Sequence, residues 1–434
     1  MAYLLVIEPR FRITGNNMFS LPYSQKKSYM TGIDWMVSGL DHMTRKAQGH
    51  GNHSQILIEL DSVLDEGVFV SAVRNFCRKH SILYGRIKRD CNLAPYWSYS
   101  DKNTDDTRVD IDVQEIPQER IYGNACINAS EPFKNRRCYL SFLLLRGETY
   151  SSVAVKFDHK LFDARGIELF LCGLNRDSVF VHNACPAGLD HWKEKFLSGQ
   201  KTNRFFRSLP SKKSTSLFGS EAKGVLRYRH FTLNASDVIK NADSEAGYLM
   251  TSPYLLAKIY DAVRELIEND YKNIVISVSA DRRGPACTDP FFNKLSFMYF
   301  ALSPGLTQEQ VINVLREQLI FQVREKIPEH IANASMLMRI VPCCSVADVL
   351  KHMPISFSYS YMSNTAYSDK SFLGVKIRNI LHMPVVPSNP GVGVFFTTFA
   401  DKLNAVFTYY DKMFEQNKVD RFIDKLHRGV SGVQ

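Results

Sequence analysis

Residues 151–175 read SSVAVKFDHKLFDARGIELFLCGLN, and this run constrains the rest of the chain most. Val153, Val155 and Phe157 alternate with Ala154, Lys156 and Asp158, the period of two that marks a strand. Side chains two positions apart in a strand share a face, so His159 extends the apolar face as the strand ends. The apolar run Ser141 to Arg146 and the turn residues Gly147-Glu148 come before it, completing a hairpin. Asp163 follows His159 by four residues, Gly166 breaks the turn, and Ile167 to Leu174 reads as the start of a buried helix. A His and an Asp bracketing a strand-to-loop junction mark a place for chemistry.

A chain of 434 residues exceeds what one hydrophobic core holds, since single cores stop growing near ~250–300 residues. Apolar content of 45% and charged content of 23% are ordinary globular values, so neither a fibrous nor a disordered class fits. The formal net charge is +10, with basic clusters at Lys134–Arg137 and across Lys201–Lys213. That charge fits attraction of a polyanion, an acidic carrier protein or a cofactor phosphate, and it equally fits a solvated basic surface. No regular basic-aromatic pattern points to nucleic acid. Nine scattered cysteines form no CxxC, and adjacent Cys343-Cys344 disfavour an ordinary bridge, so free thiols in a reducing compartment are expected. The N-terminus shows no basic region followed by a long apolar run, and no ~18-residue apolar stretch occurs. A soluble, cytoplasmic monomer without a signal peptide or transmembrane segment is the expectation.

Along the chain, residues 32–40 form a short helix or an apolar plug. Gln55–Leu60 reads as a strand, Asp65 caps a helix burying Phe69, Ala72, Val73, Phe76 and Cys77, and Leu83–Ile87 is a further short strand. Asn103–Arg108 is a polar loop. Residues 199–224 are basic, Ser-rich and broken by Pro and Gly, as befits a crossover linker. Beyond it, Leu226–Leu233 is strand-like, and Ser252 with Pro253 opens a helix burying Leu255, Leu256, Ile259, Val263, Leu266 and Ile267. Asn273–Val278 is a strand running into Ser279-Ala280-Asp281-Arg282-Arg283-Gly284. Thr307 and Gln310 make a capping box. Ile355–Tyr361, Gly393–Phe399 and Leu403–Tyr409 are strands, and a terminal helix ends near Gly429. The chain therefore divides into residues 1–198, the linker 199–224 and residues 225–434, two mixed α/β units of similar size.

His159 is the candidate general base, because a neutral imidazole takes a proton near neutral pH. Asp163 orients it or, as a carboxylate past a tight turn, fixes the loop by pairing with an Arg. A metal site would need a third ligand, and none stands out. Nucleophile-elbow, phosphate-loop, dinucleotide and kinase motifs are absent.

The segment Glu131-Pro132-Phe133, the hairpin and His159–Gly166 (HKLFDARG) resemble the condensation-domain and chloramphenicol-acetyltransferase-like superfamily of acyltransferases, with its HxxxD signature. Ser81–Arg86 after a helix, the strand ending in SADRRG followed by Phe292-Asn293-Lys294, and the closing Ser-rich strand, hairpin and helix resemble later parts of that family in the same order. Asp158 stands where many members carry a second His, Ala164-Arg165-Gly166 replaces a direct Asp-Gly, and the DFGWG motif of the plant branch is missing. The likeness is closer to alcohol acyltransferases, wax ester synthases and condensation enzymes.

The resemblance implies an α/β fold, an α+β sandwich of two chloramphenicol-acetyltransferase-like domains side by side, with a tunnel between them. It implies a stand-alone enzyme in which His159 deprotonates a small-molecule alcohol or amine as it attacks a thioester carried by coenzyme A or an acidic acyl-carrier protein, with no acyl-enzyme and no metal. Asp163 would pair with Arg282 or Arg283, and Gly166 would let the loop turn. Ser356, Ser358 and Ser360 would offer oxyanion donors or simply face solvent. Asn293 is a further oxyanion candidate or a turn residue. An amide-forming condensation enzyme and a non-catalytic binding member of the superfamily are the alternatives.

Overall fold

The computed structural model describes residues 26–100, 108–182, 185, 191–211, 224–267, 272–284, 286–367 and 370–432. The first 25 residues, most of the polar loop expected at 103–108 and residues 212–223 of the expected linker lie outside this set.

Two six-stranded sheets carry the fold, with a three-stranded sheet of Lys26–Tyr29, Pro95–Tyr99 and Arg86–Arg89 beside them. The first large sheet runs in the order Ser371–Phe372, Val375–Met383, His53–Leu60, Ser151–Asp158, Leu140–Arg146, Val109–Glu115. Its pairs are antiparallel except the last, which is parallel. The second runs Leu295–Leu302, Ile274–Asp281, Phe357–Met362, Val392–Phe399, Lys402–Tyr410, Leu226–Asn234. There Phe357–Met362 is parallel to both neighbours. This mixed α/β architecture has the two lobes expected, with one exchange: Val375–Met383, from late in the chain, pairs with His53–Leu60 in the first sheet.

Ser151–Asp158 is central in its sheet, and all of its residues are buried. Val153, Val155 and Phe157 face a core shared with Phe69, Val73 and Phe76 of the helix Glu66–Arg78 and with Phe162, Ile167 and Phe170. Each such side chain contributes roughly 1.5–3 kcal/mol by leaving water. Ala154 faces the other way, with Leu57 and Leu143, onto Leu226, Tyr228, Val406 and Tyr410 of the second sheet. The helices Thr251–Val263, Gln308–Arg324 and Gln416–Ser431 cover the second sheet's far face. Asp65 caps Glu66–Arg78, and Thr307 with Gln310 forms a capping box, as expected.

Several local expectations change. Residues 32–40 belong to a 17-residue helix, Gly32–Gln48, held by a capping box between Thr31 and Asp34 and closed by Gly49 in the left-handed region. Ser81–Tyr84 is a 3-10 turn, and the strand starts only at Arg86, because Ile82, Leu83 and Tyr84 all turn into the core. Ser252 does not cap its helix; its hydroxyl lies 3.2 Å from the Tyr359 hydroxyl, and the helix starts after Met250. The terminal helix runs through Gly429 and stops at Gly432, whose φ of 72° suits glycine. Residues 199–208 lie within a helix, Trp192–Ser208, whose Phe205 and Phe206 pack with Tyr299, Ile327 and Ile331.

Candidate active site

His159 leaves the end of the Ser151–Asp158 strand, and its backbone N–H donates to the Asn52 carbonyl at 3.1 Å. Register places Ser54 opposite Phe157 on the neighbouring strand, which brings the Ser54 hydroxyl to 2.8 Å from His159 Nε2. The other ring nitrogen, Nδ1, lies 3.1 Å from the Phe162 carbonyl oxygen. A carbonyl only accepts, so in the neutral ring Nδ1 holds the proton and donates to Phe162. Nε2 is then a lone pair, and the Ser54 hydroxyl donates to it while accepting from the Val385 N–H at 3.1 Å. Burial pushes the imidazole below its ordinary range, outweighing the opposing effects of Asp163's charge and the Phe162 carbonyl. The ring is thus neutral at physiological pH, with its basic nitrogen turned to a hydroxyl.

Asp163 caps the helix Ala164–Arg176: its Oδ1 accepts from the Gly166 N–H at 2.7 Å. Its Oδ2 accepts from Arg283 Nη1 at 2.8 Å and from the Lys294 N–H at 2.9 Å. Of the two arginines, then, Arg283 is the partner and lies buried in the pair, whereas the Arg282 side chain is exposed. With its carboxylate so engaged and Nδ1 on Phe162, Asp163 braces the loop and does not touch the imidazole. Gly166 is required by space, since a Cβ there would stand 2.2 Å from the Pro290 carbonyl oxygen. The loop is also stitched to the second half by Phe292, whose N–H donates to the Leu161 carbonyl at 2.7 Å.

Asn293 holds a place no local signal assigns it. Its Nδ2 donates to the His159 carbonyl at 2.7 Å and to Asp34 Oδ1 at 3.0 Å, and its backbone N–H reaches the same Asp34 oxygen at 2.8 Å. Both amide hydrogens are therefore committed to the protein. As placed, Asn293 positions the His159 backbone through the start of the Gly32–Gln48 helix, in place of the oxyanion contact expected of it.

Ser356 is buried, and its hydroxyl accepts from the Val275 N–H at 2.9 Å, so it ties two strands of the second sheet together. Ser358 and Ser360 lie on Phe357–Met362 with half-buried side chains. None of the three bonds the His159 ring, whose nitrogens go to Ser54 and Phe162. Ser54 was not singled out by sequence, where it is one polar residue ahead of an apolar strand; only register to Phe157 reveals it.

Asp158, in place of a second His, accepts from the Lys160 N–H at 2.8 Å and lies 3.1 Å from Lys160 Nζ. Lys160 Nζ also reaches Asp41 Oδ2 at 2.8 Å. Burial opposes ionisation of Asp41, but Lys160 and Arg45 outweigh it and hold its carboxyl down to about 2. This buried cluster fixes the residue after His159 to the Gly32–Gln48 helix. Among the described residues none of the nine cysteines is in a disulfide. Among the described residues, no group of three or more His, Cys, Asp or Glu side chains is placed to hold a metal ion, and no helix is long and apolar enough to cross a membrane.

No protein-family model matches this sequence, and comparison with curated proteins gives no match either. Solved structures do match. The first condensation domain of the calcium-dependent antibiotic synthetase, in complex with a substrate analogue, superposes with a TM-score of 0.67 at 14% identity, over 94% of this chain and 96% of that one. Trichothecene 15-O-acetyltransferase from Fusarium sporotrichioides gives 0.68 at 12% identity, over 94% and 95%. A variant of the starter condensation domain of rhizomide synthetase, in complex with C8-CoA, gives 0.66 at 10% identity, over 94% and 94%. The chain has the two-lobed fold of condensation domains and chloramphenicol-acetyltransferase-like acyltransferases, as its HxxxD segment led one to expect.

Proposed function

We propose that this protein is an acyltransferase that moves an acyl group from a thioester, on coenzyme A or a carrier protein, to a hydroxyl or amine. The observation that carries the proposal is the His159 ring: neutral, with Nδ1–H on the Phe162 carbonyl and the Nε2 lone pair 2.8 Å from a hydroxyl. An acceptor hydroxyl displacing Ser54 from that nitrogen would lose its proton to Nε2 as its oxygen attacks the thioester carbon. The C–S bond then breaks, and the imidazolium returns the proton to the departing thiolate. No acyl-enzyme is needed. The Asp163–Arg283 pair and Asn293 act on this chemistry only by holding the loop and the His159 backbone. Coenzyme A as donor carrier draws support from the C8-CoA complex of a protein of the same fold. An acidic carrier protein draws support from the net charge of +10. Action as a cytoplasmic monomer, and residues 1–198 and 225–434 as the two functional halves, belong to the same proposal.

One observation favours a second reading. Ser54 already fills the hydrogen bond that an acceptor would make, as it would in a binding protein that keeps the fold without turnover. Purified protein incubated with a panel of acyl-CoA thioesters and alcohol or amine acceptors decides between them. The enzyme releases free thiol in proportion to acceptor, and His159→Ala lowers that rate by roughly 10²–10⁴-fold. Thiol release at the wild-type rate in His159→Ala defeats the general-base role.

A further inference from the structure

One side of the helix Trp192–Ser208 is packed and the other is in water. Ser198, Phe205 and Phe206 turn inward: Ser198 Oγ lies 3.1 Å from His330 Nδ1, and both phenylalanines pack with Tyr299 and Ile327. A helix on a protein surface ordinarily keeps polar residues on its outer side. Here that side carries Trp192, Phe196 and Leu197, which are 58%, 52% and 57% exposed. Trp192 and Phe196 are one turn apart, so two aromatic side chains share the outer face where the helix begins.

Exposed cations are interleaved with these apolar groups. Arg204 and Arg207 follow Lys193 by eleven and fourteen residues, three and four helical turns, so all three project from the same side over roughly 20 Å. Among the described residues, no ion pair or hydrogen bond engages the Lys193, Arg204 or Arg207 side chain. The helix's other two cations are engaged: Lys195 has a partner of its own, and Lys201 Nζ lies 3.3 Å from His330 Nε2. Its one acidic residue, Glu194, lies 3.9 Å from His191 and, two positions before Phe196, on the other side of the helix. From Lys195 to Ser220 the chain has six Lys or Arg and no Asp or Glu.

We propose that this outer face docks on an anionic lipid surface. The helix lies along the surface, Trp192, Phe196 and Leu197 enter the boundary between headgroups and acyl chains, and Lys193, Arg204 and Arg207 meet lipid phosphates. A soluble acidic partner answers the cations alone and must supply a matched pocket for each apolar side chain. A lipid boundary takes both kinds of group without a shaped partner, and tryptophan is enriched there. The proposal is independent of the acyltransferase reading.

Trp192 makes the test direct, because the other two tryptophans, Trp35 and Trp97, are buried. The full chain is expected to float with vesicles of phosphatidylcholine containing one-quarter phosphatidylserine, at least about tenfold more strongly than with phosphatidylcholine alone. Salt weakens that binding. Binding shifts tryptophan emission to the blue, and Trp192→Phe abolishes the shift. The variant Lys193→Gln/Arg204→Gln/Arg207→Gln lowers the partition coefficient roughly 100-fold, about fivefold per cation. Phe196→Ser/Leu197→Ser lowers it at least about tenfold with an unchanged circular dichroism spectrum. Removing three charges from the other basic cluster, in Lys134→Gln/Arg136→Gln/Arg137→Gln, changes it by less than about threefold. No partition into anionic vesicles, an equal loss in that control, or tryptophan emission unmoved by bound vesicles overturns the proposal. So does binding to an acidic protein or a nucleic acid without binding to vesicles.

Discussion

Arg283 Nη1 lies 2.8 Å from Asp163 Oδ2, both side chains are almost wholly buried, and 120 residues of chain separate them. The pair joins the His159 loop to the second half of the molecule. Removing one member strands the other charge in the interior, which costs about 3–5 kcal/mol. Arg283→Ala is accordingly expected to lower unfolding free energy by that amount in urea titrations. The double variant Asp163→Asn/Arg283→Met should lose less than the sum of the singles, because it removes both charges together. A loss below ~1 kcal/mol for Arg283→Ala would show that the loop does not depend on the pair.

Ser54 and His159 test whether the hydroxyl at Nε2 is a placeholder or a nucleophile. If it is a placeholder, Ser54→Ala keeps kcat within about tenfold of wild type, since the acceptor supplies its own hydroxyl. Intact-mass analysis of wild type under turnover then finds no acylated protein. A loss as deep as that of His159→Ala, together with an acyl adduct on Ser54, would mean that the acyl group passes through the protein.

The pH profile follows from the sign of the His159 shift. Burial lowers its pKa, so protonation that switches the base off occurs at more acidic pH than for an ordinary imidazole, near ~6.5. The acid limb of kcat/KM should have its midpoint below that value. Asp163's charge favours the protonated ring, so Asp163→Asn moves the midpoint further to the acid side. A limb at or above ~6.5 in wild type contradicts the buried, neutral base.

At Gly166, a methyl group would stand 2.2 Å from the Pro290 carbonyl oxygen, a contact no side-chain rotation relieves. Backbone shifts of this kind cost roughly 1–3 kcal/mol. Gly166→Ala should lower the melting temperature and reduce kcat while leaving the far helix Gln416–Ser431 as protected from amide exchange as in wild type. Wild-type stability and activity in Gly166→Ala would remove steric need as the reason for glycine here.

What was legible in the sequence was what local periodicity and chemistry encode. The Val153-Val155-Phe157 alternation, the Asp65 cap and the Thr307–Gln310 box all appear in place. Residues whose roles depend on distant neighbours were not. Arg282 and Arg283 are adjacent and alike, and only the closeness of Asp163 separates them. Asn293 sits between apolar runs like any turn residue, yet its amide spans Asp34 and His159. Residues 199–208 have a linker's composition, but Phe205 and Phe206 find a core made by Tyr299 and Ile331, which draws the segment into a helix. The Ser356 hydroxyl looked available because its strand alternates, and the Val275 N–H across the sheet engages it.

The late strand Val375–Met383 completes the sheet that presents His159, by pairing with His53–Leu60. During synthesis the edge of His53–Leu60 therefore stays open until residue 383 has emerged from the ribosome. For most of translation the nascent chain carries an apolar strand with free backbone donors and acceptors, the kind of edge that templates aggregation. The His159 loop is then among the last parts of the molecule to become rigid, and truncated chains ending before that strand should be caught by chaperones rather than accumulate as folded halves.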